Sequence, residues 1–331
     1  MRDVAQVAGV SVTTVSHVIN NTRPVSDELR TRVTEAMQEL GYQTNILARS
    51  LRKGETLTVG VILPDSANPF FAEVARGVED TSFMNGYSVI LCNTDSNLEK
   101  ERIYTDVLVK KQVDGILFIA AGLSIENIQS LLDREMPLVI VDRQVPEVNV
   151  DCVLTNNRQG GYLAAHHLIN LGHRRIGCIV GPENIRSSLE RLTGYQEAIH
   201  EAGLPFDETL IVKGDFQYES GYEAAQRLLT IGDPPSAIFA FNDLMAVGAL
   251  SYALEKGYPV PAGLSVVGFD DVRLAVYANP PITTVMQPKY EIGELATQIL
   301  LERMKNPETH PRQRMLETRL VVRKSTAPFH N

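Results

Sequence analysis

Thr13, Thr14, Ser16, His17 and Asn20 are interleaved with Val15, Val18 and Ile19 in the stretch SVTTVSHVIN. On a helix opened by Ser11 the three apolar residues share one face, and the five polar ones lie largely outside it. Short donors and acceptors near the start of such a helix can bond base edges in a DNA major groove and touch thymine methyl groups. A shorter helical run, DVAQVA, precedes it and ends at Gly9, a residue suited to the left-handed conformation that closes a helix. The spacing is that of a helix-turn-helix. A small helical domain that binds protein shares that spacing and stays open on these residues alone.

A third helix is expected over VSDELRTRVTEAMQELGY, with Ser26 as cap, Asp27 and Glu28 complementing the positive N-terminal end, and Val33, Ala36, Met37 and Leu40 facing a core. Beyond it, QTNILARSLRKGE reads as a helix of about two turns capped by Asn45. It carries Arg49, Arg52 and Lys53 and leaves Leu51 with little core to enter. Basic groups there could neutralise phosphates while an apolar wedge opens a minor-groove step. A solvated interdomain linker is the other reading of the same residues.

From Leu57 onward apolar runs such as LTVGVIL, GYSVILCN, DGILFIA and PLVIVDR alternate with amphipathic stretches, which indicates βαβ units and parallel sheets. The pattern restarts at RRIGCIVGP, so two doubly wound lobes are expected to face each other across a cleft at their strand C-terminal ends. Two unrelated α/β domains are the alternative. The 331 residues leave room for more than one core, and a charged fraction of 21% beside an apolar fraction of 44% describes a folded chain. A net charge of −9 argues against a protein that coats nucleic acid throughout, but not against one DNA-reading module.

Catalytic signatures are missing. No G-x-x-x-x-G-K-[ST], G-x-S-x-G or H-E-x-x-H occurs, and His166, His167 and His173 lack metal-type spacing and are expected at the surface. No metal and no cofactor is expected. Cys92, Cys152 and Cys178 form no C-x-x-C pair and sit in or beside apolar runs, as buried thiols of a reducing compartment do. No run approaches the about 18 apolar residues of a membrane span, and no export signal opens the chain, so a cytoplasmic protein without a membrane partner is expected.

Taken together, DVAQVAGVSVTTVSHVIN, GYQTNILARSLRKGE and the α/β remainder resemble the lactose-repressor and galactose-repressor family, nearest its purine- and ribose-repressor branch. The resemblance spans essentially the whole chain. It implies an α/β protein with a three-helix helix-turn-helix module at 1–44, a hinge helix at 45–55 and a sensor of the periplasmic-binding-protein type at 56–331. Lobe one is expected at about 56–155 and 287–316, lobe two at about 156–286 and 317–331. By resemblance Val12, Thr13 and His17 fall at major-groove reading positions, and Leu51 at an intercalating leucine with Ala48 and Arg52 beside it. Val12 stands where relatives carry a polar residue, so apolar contact with a thymine methyl is expected there. Met1 stands almost at the first helix, whose first turn is therefore expected to fray.

The sensor is similar to periplasmic sugar-binding proteins of the ribose type. That likeness implies a ligand set of Asn68, Phe70, Phe71, Asp142, Arg143, Arg191, Phe216, Asn242, Asp270 and Gln287, all at strand ends. Carboxylates, Arg, Asn and Gln around aromatic rings match a sugar's hydroxyls and apolar ring faces. Singly, each has a plainer role, as helix cap, core ring or ion-pair partner. Arg143 directly after Asp142 favours a hydroxyl-rich sugar such as ribose, whereas Pro64 and Ala120 replace the Ser and Asn of the ribose type and leave open a different pentose, a larger sugar or a phosphorylated one. Asp142 and Asp270 are the sole facing carboxylates for glycoside hydrolysis, and Arg143 and Arg191 would hold them ionised, against acid catalysis.

The expectation is therefore a homodimeric repressor of a palindromic operator, relieved by a pentose-like effector. A purine- or nucleoside-responsive repressor is the alternative within the same architecture, and a stand-alone sugar-transport protein the alternative outside it. The end of the chain shows no leucine heptads for a further bundle, so a tetramer is not expected.

Overall fold

A computed structural model describes residues 1–20, 23–42, 55–119, 125–143 and 148–329. The expected hinge residues Asn45, Ala48, Arg49, Leu51, Arg52 and Lys53, together with Ala120, lie outside the described residues, as does the side chain of Asn20. The chain forms two compact units, Met1–Thr56 and Leu57–Asn331.

The first unit has three helices, α1 (Arg2–Val7), α2 (Val12–Asn20) and α3 (Asp27–Glu39). Val4, Ala5, Ala8, Val15, Val33 and Ala36 make its core, with Val18, Ile19 and Met37 packed on it. The first turn is closed rather than frayed, since the Ala5 amide donates to the Met1 carbonyl at 3.0 Å. Leu40 departs from the expected core and is 43% exposed. It follows the last residue of α3, where helical periodicity no longer sets the side chain's direction. Ser26 occupies the N-cap without a side-chain bond, leaving Asp27 and Glu28 to complement the helix end.

The second unit begins β1 (Thr58–Leu63), α4 (Pro69–Met84), β2 (Ser88–Asn93), α5 (Leu98–Lys110), β3 (Gly115–Ile119), α6 (Ile125–Leu132), β4 (Leu138–Val141) and β5 (Asp151–Thr155). It continues through α7 (Asn157–Asn170), β6 (Ile176–Val180), α8 (Arg186–Glu201), β7 (Ile211–Lys213), α9 (Tyr218–Leu229), β8 (Ala237–Ala240), α10 (Asp243–Glu255) and β9 (Ser265–Asp270). The last elements are α11 (Arg273–Tyr277), β10 (Thr283–Met286), α12 (Lys289–Lys305), β11 (Gln313–Leu316) and β12 (Arg319–Val321).

These strands form two sheets, ordered β11-β5-β4-β3-β1-β2 and β12-β10-β9-β8-β6-β7. All pairs are parallel except the edge pair of β12 with β10, which runs antiparallel. The chain passes between the sheets at Thr155–Asn157, Met286–Lys289 and Leu316–Arg319. Strand residues alternate between two apolar layers in the first sheet. Val59, Val61, Leu63, Val139 and Val141 face α4 and α12, whereas Ile62, Ile116, Phe118 and Ile140 meet Leu108 of α5 and Ile128 of α6.

Close helix pairs buttress both sheets. A Cβ on Gly194 of α8 would stand 1.9 Å from the Arg158 carbonyl oxygen, and one on Gly161 of α7 2.1 Å from the Arg191 carbonyl oxygen. The two helices touch through backbone at positions no other residue can occupy unchanged. Cys92, Cys152 and Cys178 are buried free thiols, each held protonated by burial. His166 is exposed as expected, but His173 is not a surface residue, with 2% of its area exposed. It follows the turn that closes α7 and points inward, within hydrogen-bond distance of Ser236 Oγ (2.9 Å), Ser265 Oγ (3.0 Å) and the Ala327 carbonyl (3.2 Å). No helix among the described residues is long and apolar enough to cross a membrane.

Candidate functional site

Between the two sheets, at the C-terminal ends of their strands, lies a cavity of about 190 Å³. The first lobe contributes Pro64, Asp65, Asn68, Phe70, Phe71, Ser96 and Asp142, and the second Pro182, Asn184, Ile185, Ser187, Arg191, Asp215, Phe216, Gln217, Asn242 and Asp270. Asn68 caps α4, its Oδ1 accepting from the Phe70 amide at 2.9 Å, and this fixes where the two following rings emerge. Phe70 and Phe71 meet edge to face, with centroids 5.1 Å apart. Asn242 likewise caps α10 through the Met245 amide (2.9 Å), and its Nδ2 donates to the Phe216 carbonyl at 2.8 Å. The capping role and a place on the cavity wall belong to the same side chain.

Backbone strain collects here. Asp142, Phe216 and Asp270 have φ of 57°, 71° and 107°, in the region L side chains avoid. Glycine would relieve each of them, so what these positions require is the side chain, as at sites where local strain serves function.

Arg191, on α8, is 4% exposed. Its Nε donates to Asn157 Oδ1 at 2.9 Å, its Nη1 donates to the Phe241 carbonyl, and its plane lies 3.7 Å from the centre of the Phe269 ring. Nη2 is 3.8 Å from Asp270 Oδ1. Burial pushes the carboxyls of Asp142 and Asp270 up to about 6 in each case, against the pull of Arg191. Beneath them Asp243 is fully buried and pushed well above the usual carboxylate range by desolvation. It accepts from Thr284 Oγ1 at 2.6 Å and the Val272 amide at 2.8 Å. The wall thus offers acceptors and donors in a largely dry setting, able to hold a small ring with several polar edges.

Two expected ligand residues stand elsewhere. Gln287 is 1% exposed and donates through Nε2 to Asp270 Oδ1 at 2.7 Å, which makes it a support for that carboxylate. It follows β10, the strand next to β9, so its side chain meets Asp270 before it meets the cavity. Arg143 lines a smaller neighbouring cavity of about 130 Å³ with Asp142, Asn157, Arg186, Ser187 and Glu190. Asp142 lines both cavities, whereas Arg143 lines the smaller one alone.

Sequence reading missed Asp65, Ser96, Asn184, Ser187, Asp215 and Gln217 on the wall, and Asn157 and Asp243 behind it. Asp65 and Asp215 could have been found as the first polar residues beyond β1 and β7, and Ser96 as one of the polar residues of the loop after β2. Among the described residues no group of three His, Cys, Asp or Glu side chains is arranged to hold a metal ion.

In the first unit, Val12 and Thr13 at the start of α2 are exposed, and Ser16 and His17 are half-buried farther along. Thr14 is turned to the cap, its amide donating to Ser11 Oγ at 3.0 Å and its hydroxyl lying 2.9 Å from the same atom. The turn before α2 is clamped by Arg32, whose Nη2 donates to the carbonyls of Ala8 (2.7 Å) and Gly9 (3.2 Å).

A helix-turn-helix unit joined to a two-lobed sensor with one cleft defines a class of ligand-responsive regulators. Residues 1–45 match the model described as "Bacterial regulatory proteins, lacI family", and residues 165–326 match "Periplasmic binding protein-like domain". A relative from Photobacterium profundum, called HTH-type transcriptional repressor PurR, is 42% identical over 327 residues, covering 98% of each chain. The lac repressor dimer bound to operator and the anti-inducer ONPF is similar with a TM-score of 0.88 and 28% identity over 98% of each chain. A LacI family transcriptional regulator from Enterococcus faecium with bound ribose is 31% identical, with a TM-score of 0.76, over 82% of this chain and 100% of that one. The chain belongs to the lacI family of bacterial regulatory proteins. It is a ligand-regulated DNA-binding repressor and not an enzyme.

Proposed function

We propose that the effector is a pentose-like sugar such as ribose, and that its binding releases a dimer of this chain from a palindromic operator. The observation that carries this reading is the joint placement of Asp142, Asp270 and Arg191 with the Phe70, Phe71 and Phe216 rings around one cavity. Carboxylates accept from sugar hydroxyls, the guanidinium donates to them, and aromatic rings cover the apolar faces of the ring. The ribose-bound Enterococcus faecium regulator supports it. Pro64 on the wall supplies no donor or acceptor through its side chain, and Arg143 lies in the side cavity, so the sugar's contacts rest on fewer groups than the resemblance implied.

A purine effector is the second reading, and the names of the relatives back it more directly: repressors called PurR match at 40% to 42% identity over almost the full chain. The same rings could stack on a purine while the carboxylates accept from its N–H groups. Calorimetry with ribose and with hypoxanthine, on the wild type and on Asp142→Asn, separates the two. Ribose binding that weakens at least tenfold in the variant supports the pentose reading, and hypoxanthine binding with no ribose heat replaces it with the purine one.

On the DNA side, Thr13 and His17 would reach base edges and Val12 a thymine methyl, with two copies spanning the half-sites. Ala48, Leu51 and Arg52 enter this proposal by resemblance alone. Filter binding to a lac-type palindrome at two salt concentrations tests it. Binding that is neither salt-sensitive nor weakened by Thr13→Ala would count against these residues as readers.

A further inference from the structure

We propose that Lys289 is a positioning residue that pins lobe one to the strained turn presenting Asp270, and so sets the angle between the lobes. Lys289 opens α12, immediately after the chain crosses from the second sheet to the first. It is 5% exposed, and a buried ammonium persists only where its donors are satisfied. Nζ donates to the Asp270 carbonyl at 2.7 Å and to the Asp271 carbonyl at 2.9 Å, both in lobe two. Glu73 Oε2, on α4 of lobe one, lies 3.6 Å away.

The two sides of this junction differ in rigidity. Within lobe one, α4 and α12 pack backbone to backbone: a Cβ on Gly77 would stand 2.2 Å from the Tyr290 carbonyl oxygen, and one on Gly293 2.1 Å from that of Val74. Glu73 and Lys289 therefore move as one body. Across the junction, Asp270 and Asp271 have φ of 107° and 58°, a turn held by its surroundings rather than by its own preference. Lys289 grips the main chain of that turn. Gln287 grips the Asp270 carboxylate, and Arg323 the Asp271 carboxylate at 2.5 Å. The turn is thus tied to Gln287, to Arg323 and to α12, beside Val272, which packs in the first lobe's core, and rotation of one lobe on the other would stretch the two lysine bonds. Removing the donors should free the angle while leaving both lobes folded.

The test is a distance between the lobes, measured by electron paramagnetic resonance with spin labels on Ser130→Cys and Glu223→Cys in the full chain. Both sites are exposed, and the natural cysteines are buried and resist labelling. Wild type and Lys289→Arg should give the same narrow distribution, and Lys289→Met one broadened or displaced by roughly 2 Å or more. An unchanged distribution in Lys289→Met overturns the proposal, as does a Lys289→Arg chain that behaves like Lys289→Met. Should Lys289→Met fail to fold, Lys289→Gln is read by the same criterion. No effector is needed, so the result is independent of whether a sugar or a purine occupies the cleft.

Discussion

Arg191 Nη2 lies 3.8 Å from Asp270 Oδ1, and both residues line the cleft while at least nine-tenths buried. The guanidinium is fastened on its other edges to Asn157 and the Phe241 carbonyl, so it cannot swing to meet either carboxyl more closely. Arg191 at this distance, with Lys289 acting on Asp270 as well, does not offset the desolvation of the two carboxyls, and Asp142 and Asp270 are both pushed up to about 6. Carboxyls so incompletely matched by the protein suit a polar ligand that supplies the remaining donors.

Asp142→Asn should therefore stabilise the effector-free sensor near neutral pH. The folded-state value of Asp142 lies above its unfolded one, so the native chain binds more protons between about 3.8 and 6. Stability from this group is highest below that window and is lost as pH rises through it. Urea unfolding at pH 7 should show the variant more stable by about 1 to 2 kcal/mol, allowing for partial solvent access. The difference should shrink toward pH 4.5. Equal loss of stability at both pH values would show that Asp142 is supported by contacts stronger than its 3.5 Å approach to Asn157 Nδ2.

Gly194→Ala should act on the cleft from outside it. The added methyl would meet the Arg158 carbonyl at 1.9 Å and push α8 away from α7, carrying Arg191 with it. Overpacking of this kind costs about 1 to 3 kcal/mol, and a displaced Arg191 should weaken effector binding as well. Gly232→Ala is the control, because nothing lies within 4 Å of the methyl it would add and a lost glycine there restricts mainly the unfolded chain. Thermal melts and effector titrations on both proteins check the pair, and similar behaviour of the two variants would refute the close-packing account.

His173 ties the chain's last segment to lobe two. Its ring nitrogens face Ser236, Ser265 and the Ala327 carbonyl, and its ring stacks on Phe329 with centroids 5.4 Å apart. Burial holds it below the usual imidazole value. The unfolded chain thus takes up a proton first, so this group's stabilisation is present above about 6.5 and is lost as pH falls below it. His173→Ala should cost about 2 to 3 kcal/mol at pH 7 by orphaning these partners, and less at pH 5.5. Denaturation at the two pH values measures it. A penalty that grows on acidification would contradict burial of the neutral ring.

These residues also show what could be read beforehand. The runs TVGVIL and GILFI announce buried parallel strands because every residue is apolar or small, and Gly9 with Ser11 marks the turn between two helices. Part of the wall was legible too, since parallel sheets bind ligands beyond their strand C-terminal ends, although Asp65 and Asp215 at two such ends were missed. Direction was harder. Asp142 and Arg143 are neighbours in the chain, yet Asp142 borders both cavities and Arg143 the smaller one alone, and Gln287 reaches a carboxylate before it reaches open space. His173, Asp243 and Lys289 look like surface residues by type, and only the packing of segments far apart in sequence supplies partners that make their burial tolerable.

The helix-turn-helix unit should depend on Arg32 more than on any single base-reading side chain for its stability. Arg32 Nη2 bonds the carbonyls of Ala8 and Gly9, and Gly9 has a φ of 60° with no room for a Cβ, which would stand 2.7 Å from that same nitrogen. One guanidinium therefore closes the end of α1 and fixes the turn that aims α2. Arg32→Met keeps most of the stem and removes the donors, at a cost of about 1 to 3 kcal/mol to a unit whose core is small. Calorimetry of the full chain should show an earlier melting transition for the head with the sensor transition unmoved, and operator affinity should fall roughly tenfold, the factor that about 1.4 kcal/mol represents. Gly9→Ala should reproduce both changes through strain at the same turn. If Arg32→Met lowered operator affinity without moving the head transition, the guanidinium would have to act on DNA directly rather than on the turn.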